Sequence, residues 1–109
     1  MLAQYRQLGY QYSNRNIDIK EEELIYIAES RTLSREFIAG LYYNLNIPFS
    51  KNFELTKPIQ EMLYHHCDIS SKMKFEEEHR GYFKVWLIEV NLKELVKFLS
   101  VMRPGDYQI

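Results

Sequence analysis

The longest apolar run in the chain is Tyr82-Phe-Lys-Val-Trp-Leu-Ile-Glu-Val90, broken only by Lys84 and Glu89. Aromatic and β-branched side chains favour a pleated, half-buried surface, so this run predicts a strand over about 82–90. Arg80-Gly81 before it suits a two-residue hairpin turn, because glycine tolerates the positive φ such turns need. The preceding arm, about 72–79, then falls into register with the run. His79 is set opposite Tyr82, Glu77 opposite Lys84, Phe75 opposite Trp86, Met73 opposite Ile88, and Lys72 opposite Glu89. Opposed charges and opposed aromatics each contribute roughly 0.2–1 kcal/mol to such a pairing, and a slip of one residue would lose them all. Apolar groups fall on both faces of the run, so helices are needed to cover it.

Four helical patterns supply that cover. Asp18 stands three residues before Glu21 as a capping box, Glu21, Glu22 and Glu23 suit the positive end of the helix dipole, and Leu24, Ile27 and Ala28 form the inner stripe. Ser34 is the expected cap of a second helix, with Leu33 and Ile38 as its hydrophobic staple. That helix carries Phe37, Ile38, Leu41, Tyr42 and Leu45 inward, with Gly40 allowing close approach, and ends near Asn46 ahead of Pro48. Phe53 and Leu55 suggest a short strand. Pro58 then opens a third helix, 57–67, with Ile59, Met62, Leu63 and His66 on one face. After the hairpin, Asn91 caps a helix over 91–102, with Glu94 at the reciprocal position and Leu92, Leu95, Val96, Leu99 and Met102 at helical spacing. Residues 1–16 are rich in Tyr, Gln, Asn and Arg and contain no acid, which predicts an end element laid over the core by its tyrosines, with a peripheral sticky arm as the alternative: Leu2 to Leu8 could make two helical turns and Tyr10 with Tyr12 a short strand. The expected fold is α+β, one small domain over 1–109 with three N-terminal helices, an antiparallel hairpin and a C-terminal helix.

The order helix, helix, helix, hairpin, helix resembles a winged-helix domain. That resemblance implies 57–67 as a recognition helix and Arg80-Gly81 as a wing tip. It also implies a nucleic-acid surface drawn from Arg31, Arg35, Lys51, Lys57, Lys72, Lys74 and Arg80. Composition pulls the other way. The net charge is −1, with 14 Lys and Arg against 15 Asp and Glu, so no overall field draws the chain to phosphate. The expected recognition helix offers Lys57 against Glu61 and Asp68, and the hairpin tip carries three glutamates. One cysteine excludes an intrachain disulfide and fits a reducing compartment. The absence of an 18-residue apolar stretch, and of a signal peptide's apolar centre at the start, predicts a cytoplasmic protein with no membrane span.

Catalytic signatures are sparse. His65-His66-Cys67 is the strongest metal or nucleophile candidate, yet neighbouring helical side chains diverge by about 100° and zinc needs about four converging ligands. Glu76, Glu78 and His79 read as a solvated hairpin tip. No phosphate-cradling glycine loop or serine elbow occurs. No metal and no cofactor is therefore expected. What remains is an excess of rings: nine Tyr, six Phe and one Trp. Aromatic groups with a polar tip are favoured at protein interfaces. The sequence thus points to a non-catalytic interaction or regulatory module, a homo-oligomer or the binder of a protein partner. Tyr5, Tyr10, Tyr12, Tyr42 and Tyr43 are the expected contact surface. A winged-helix-like nucleic-acid binder is the alternative, and a small enzyme or metal protein using His65-His66-Cys67 is the third reading.

Overall fold

The computed structural model describes residues 2–13, 18–43, 49–50, 53–77 and 84–102. The elements run α1 (Leu2–Ser13), α2 (Glu21–Ala28), α3 (Arg31–Leu41), β1 (Phe49–Ser50), α4 (Phe53–Glu61), a π-helical turn (Met62–His66), β2 (Ser71–Glu77), β3 (Lys84–Val90) and α5 (Leu92–Met102). This is the expected α+β arrangement, with two additions. The sheet has three strands in the order β1-β3-β2, all antiparallel, and α1 is a full helix.

The hairpin register is the expected one throughout the described pairs. Glu77 faces Lys84, Phe75 faces Trp86, Met73 faces Ile88 and Lys72 faces Glu89. The Arg80-Gly81 turn and the His79–Tyr82 pair lie outside the described residues. Lys74 also reaches diagonally to Glu89, at 3.6 Å. Both of its groups are half exposed, so the pair adds little. Ile88 is buried, Val90 half-buried and Glu89 exposed, the alternation that makes one face of β3 part of the core.

Several local expectations are corrected. Lys20, in extended conformation, precedes α2 and no side chain caps it, so Asp18 lies two positions too early. The three glutamates of the first turn carry the dipole complement instead. The cap of α3 is Ser30, whose hydroxyl accepts from the Leu33 N–H at 3.2 Å. Ser34 is buried within α3, and its hydroxyl donates to the Ile27 carbonyl at 2.8 Å. Two serines four residues apart offer the same local signal; Ser34 went inside, where its hydroxyl is a second donor to the Ile27 carbonyl that already accepts from the Ser30 N–H. The helical region of α3 stops at Leu41 rather than near Asn46. Phe53 and Leu55 belong to α4, which begins five residues before Pro58. The proline is buried inside that helix at the cost of one backbone bond.

α1 lies on α3 at very short range. A Cβ on Gly40 would strike the carbonyl oxygen of Arg6, and one on Gly9 the carbonyl oxygen of Phe37. Only hydrogen at both positions lets the two backbones touch, which confirms the close approach expected at Gly40. Arg6 adds a forked ion pair to Glu36, with N···O distances of 2.7 and 2.9 Å. Tyr12 packs its ring on Phe37.

At the other end of the chain, the Asn91 side chain accepts from the Glu94 N–H at 3.0 Å, the expected cap. The Glu94 carboxylate does not close the box on Asn91. It accepts instead from the Ser70 N–H at 2.7 Å, while the Asn91 N–H donates to the Ser70 carbonyl. Both ends of the hairpin are thereby tied to the start of α5. The buried stripe of α5 is Leu95 and Phe98, with Leu99 and Met102 partly covered. Leu92 and Val96, expected inside, are 67% and 57% exposed. Phe98, at helical spacing from Leu95 and Met102, takes the inner place, and the Arg35 guanidinium of α3 lies over its ring, 5.1 Å from the centroid.

Candidate functional site

The five tyrosines expected to form one surface do not do so. Tyr42 is 2% exposed and belongs to the core, so it is removed from any binding surface. Tyr5 and Tyr12 are half-buried against that core because α1 lies down along α3. Tyr10 meets Tyr43 edge-on at 5.6 Å, and Tyr43 alone of the five is exposed. The neighbours Tyr42 and Tyr43 show how one step at a helix end separates a core ring from a surface one.

The basic residues are equally divided. Arg35 is engaged inside the fold: it donates to the His66 carbonyl at 3.0 Å and lies against Phe98 and the Met102 sulfur. Lys74 pairs with Glu89. Arg31, Lys57 and Lys72 are exposed on three different elements, and Lys51 and Arg80 lie outside the described residues.

His65, His66 and Cys67 diverge as expected for adjacent positions. His65 is exposed with its ring edge-on to Tyr64. His66 Nε2 donates to the Ala28 carbonyl at 2.8 Å, so with Ser34 it satisfies the C-terminal end of α2. Cys67 is buried, and burial pushes its thiol up to about 12, against the opposing pull of Arg35 and Arg31. At neutral pH it is a protonated, unreactive group. Among the described residues no group of three or more His, Cys, Asp or Glu is placed to hold a metal ion.

Cys67 borders a concavity. A cleft of about 340 Å³ opens between α3, the end of the π turn and α5, lined by Arg35, Cys67, Asp68, Glu94, Lys97, Phe98 and Val101. The π turn widens the helix end by one residue, so the Ile69 N–H reaches back six residues to the Leu63 carbonyl at 2.9 Å. Closing that loop holds Asp68 at φ 57, a left-handed conformation that favours glycine. Two of the cleft's four charges are committed internally, Arg35 to the His66 carbonyl and Glu94 to the Ser70 N–H. The cleft is a joint holding α5 against the body, with its thiol uncharged.

Among the described residues, most of the exposed large apolar groups fall on two helices, with Tyr43, Tyr64 and Phe75 exposed singly elsewhere. On α2, Ile25 is 46% and Tyr26 61% exposed; on α5, Leu92, Val96 and Val101 are all largely exposed. The signal was present in the residue pattern. α5 reads LKELVKFLSVM, with apolar residues in more directions than one packed face can absorb.

No family model matches the chain, and no curated protein or solved structure matches it.

Proposed function

We propose that the protein is a non-catalytic interaction module, acting in the cytoplasm, whose contact surface is the outer side of α2 and α5 rather than the N-terminal tyrosines. One observation carries this reading. Seven of the eleven residues of α5 are apolar, yet only Leu95 and Phe98 are fully buried, leaving Leu92, Val96 and Val101 to solvent. Apolar groups concentrated on one exposed element mark interaction sites more often than scattered ones do. Among the described residues no helix is long and apolar enough to cross a membrane. A protein surface is the partner proposed for the exposed apolar residues of α5.

The test is a photo-crosslinking residue placed at Val96 in the native cell, with a second at Lys57, on a different element, as control. A discrete adduct from position 96 and none from position 57 is expected. Equal, diffuse labelling from both would refute the reading. The nucleic-acid alternative has less to rest on. With Arg35 committed to the His66 carbonyl and Lys74 to Glu89, its exposed described cations are spread over α3, α4 and β2.

A further inference from the structure

The two exposed apolar faces carry opposite charge, and we infer that α2 of one copy of this chain docks on α5 of a second. The inference rests on the interaction-module reading and names its partner. On α2, Glu22, Ile25, Tyr26 and Glu29 fall at the i, i+3, i+4, i+7 positions of one helical face, and all four are exposed. Glu21 and Glu23 extend the acidic edge, and α2 itself contains no base. On α5, Lys93, Val96, Lys97 and Ser100 occupy the same four-position pattern, again all exposed, with Leu92 alongside Val96. The one acid of α5, Glu94, is turned to the Ser70 N–H and takes no part in that face.

On α2 the apolar pair Ile25 and Tyr26 lies between glutamates, and on α5 Leu92 and Val96 lie beside Lys93 and Lys97, so each face joins apolar surface to one sign of charge. Pairing α5 with α5 would bring lysines together, and pairing α2 with α2 would bring glutamates together. Only α2 on α5 buries Ile25 and Tyr26 against Leu92 and Val96 while setting acid beside base. Such an arrangement selects partner and register more than it adds raw affinity. Size bounds the strength. α2 spans eight residues, roughly 12 Å. One such contact falls well short of the ~800 Å² per partner of a standard stable interface. Association through a single contact is weak, and it strengthens when two copies exchange the contact reciprocally about a two-fold axis.

The experiment is sedimentation equilibrium of the full chain over a concentration series, with two charge-reversed variants: Lys93→Glu/Lys97→Glu and Glu22→Lys/Glu29→Lys. The wild type is expected to self-associate, and to do so less as salt rises from about 0.01 M to about 1 M, where the screening length falls from about 30 Å to about 3 Å. Each variant alone is expected to weaken association by more than about tenfold, because both of its faces then carry the same sign. An equimolar mixture of the two restores opposite signs at every contact and is expected to associate like the wild type. That recovery also shows both variants to be folded. A wild type that stays monomeric throughout, reversals without effect, or a mixture that fails to recover would each overturn the α2–α5 pairing. If the pairing fails while position 96 still crosslinks to a different protein, the module reading stands with another partner; if neither occurs, both fall.

Discussion

α1 and α5 are helices of nearly equal length, twelve and eleven residues, docked on the same central helix by opposite means. α1 is the more polar of the two, yet it is held by direct backbone contact across Gly9 and Gly40, by the Arg6–Glu36 fork and by the Tyr12–Phe37 ring pair. α5 is the more apolar, yet it is held mainly by Leu95, Phe98 and the Arg35 guanidinium, and it turns three large apolar side chains outward. Apolar content alone does not decide how completely an element is buried. Close approach does, and it requires small residues at the crossing point of both partners. The apolar surplus of α5 is unspent in the monomer, which is why function is sought there.

The comparison breaks first at Gly40. Alanine would place a methyl where the Arg6 carbonyl sits, within 3.0 Å of the Tyr10 nitrogen as well. Alanine is favoured over glycine in a helix by about 1 kcal/mol, but backbone cannot rotate aside as a side chain does. Gly40→Ala is expected to destabilise by at least about 3 kcal/mol, read as a fall in the urea midpoint with loss of amide protection across α1. Unchanged stability would refute backbone contact between α1 and α3.

Alkaline titration probes the joint beneath α5. Cys67 is raised from its ordinary 9.0 to about 12 by burial, and burial also raises the neighbouring Tyr42. Both groups are neutral when protonated, so between the unfolded and folded values the native chain binds the more protons. Their contribution is complete below pH 9 and is lost progressively as pH climbs toward 12. Chemical denaturation at a series of pH values is expected to show stability declining from about pH 9. Cys67→Ala should flatten the first part of that decline, and native Cys67 should resist alkylation at pH 8 until the chain unfolds. A thiol that reacts readily in the folded protein would contradict the closed joint.

How much of this was legible beforehand depended on whether the deciding contact was local. The hairpin register follows from one glycine and the pairs it aligns, and Asn91 capping α5 needs three residues. Both are near-neighbour facts. The choice of Ser30 over Ser34 as a cap is not, since a carbonyl of the preceding helix settles it. Nor is the α1–α3 crossing, where Gly9 and Gly40 acquire meaning only as a pair 31 positions apart. Tyr42 and Tyr43 share a residue type and differ only in direction, so composition counted both toward a surface that one of them never reaches. Leu92 and Val96 read as core from the sequence because periodicity marks which residues are apolar, not which side of the helix finds a partner.

Asp68 gives a smaller and opposite effect. It occupies the left-handed position that closes the π turn, where a side chain costs roughly 1 kcal/mol that glycine avoids. Asp68→Gly is expected to stabilise the protein by up to about 1 kcal/mol, the gain offset in part by the greater freedom of the unfolded chain. Its melting temperature, compared with wild type at equal concentration, decides the matter. A loss of stability would show that the carboxylate makes a contribution within the cleft that outweighs the strain.

The smallest expected effect is the most discriminating. In dilute solution Leu92→Gln and Val96→Gln should each change stability by no more than about 0.5 kcal/mol, because both side chains already meet water in the folded chain. The same substitutions in a helix docked as tightly as α1 would not be neutral. Concentration then separates the monomer from the assembly. A partner that binds only the folded state raises apparent stability with its own concentration, so the wild-type melting temperature should climb as the protein is concentrated. The glutamine variants should hold a constant value over that range, since they lose the buried contact without losing the fold. A melting temperature that falls in dilute solution instead would place Leu92 and Val96 in the core after all, and α5 would then differ from α1 in degree rather than in kind.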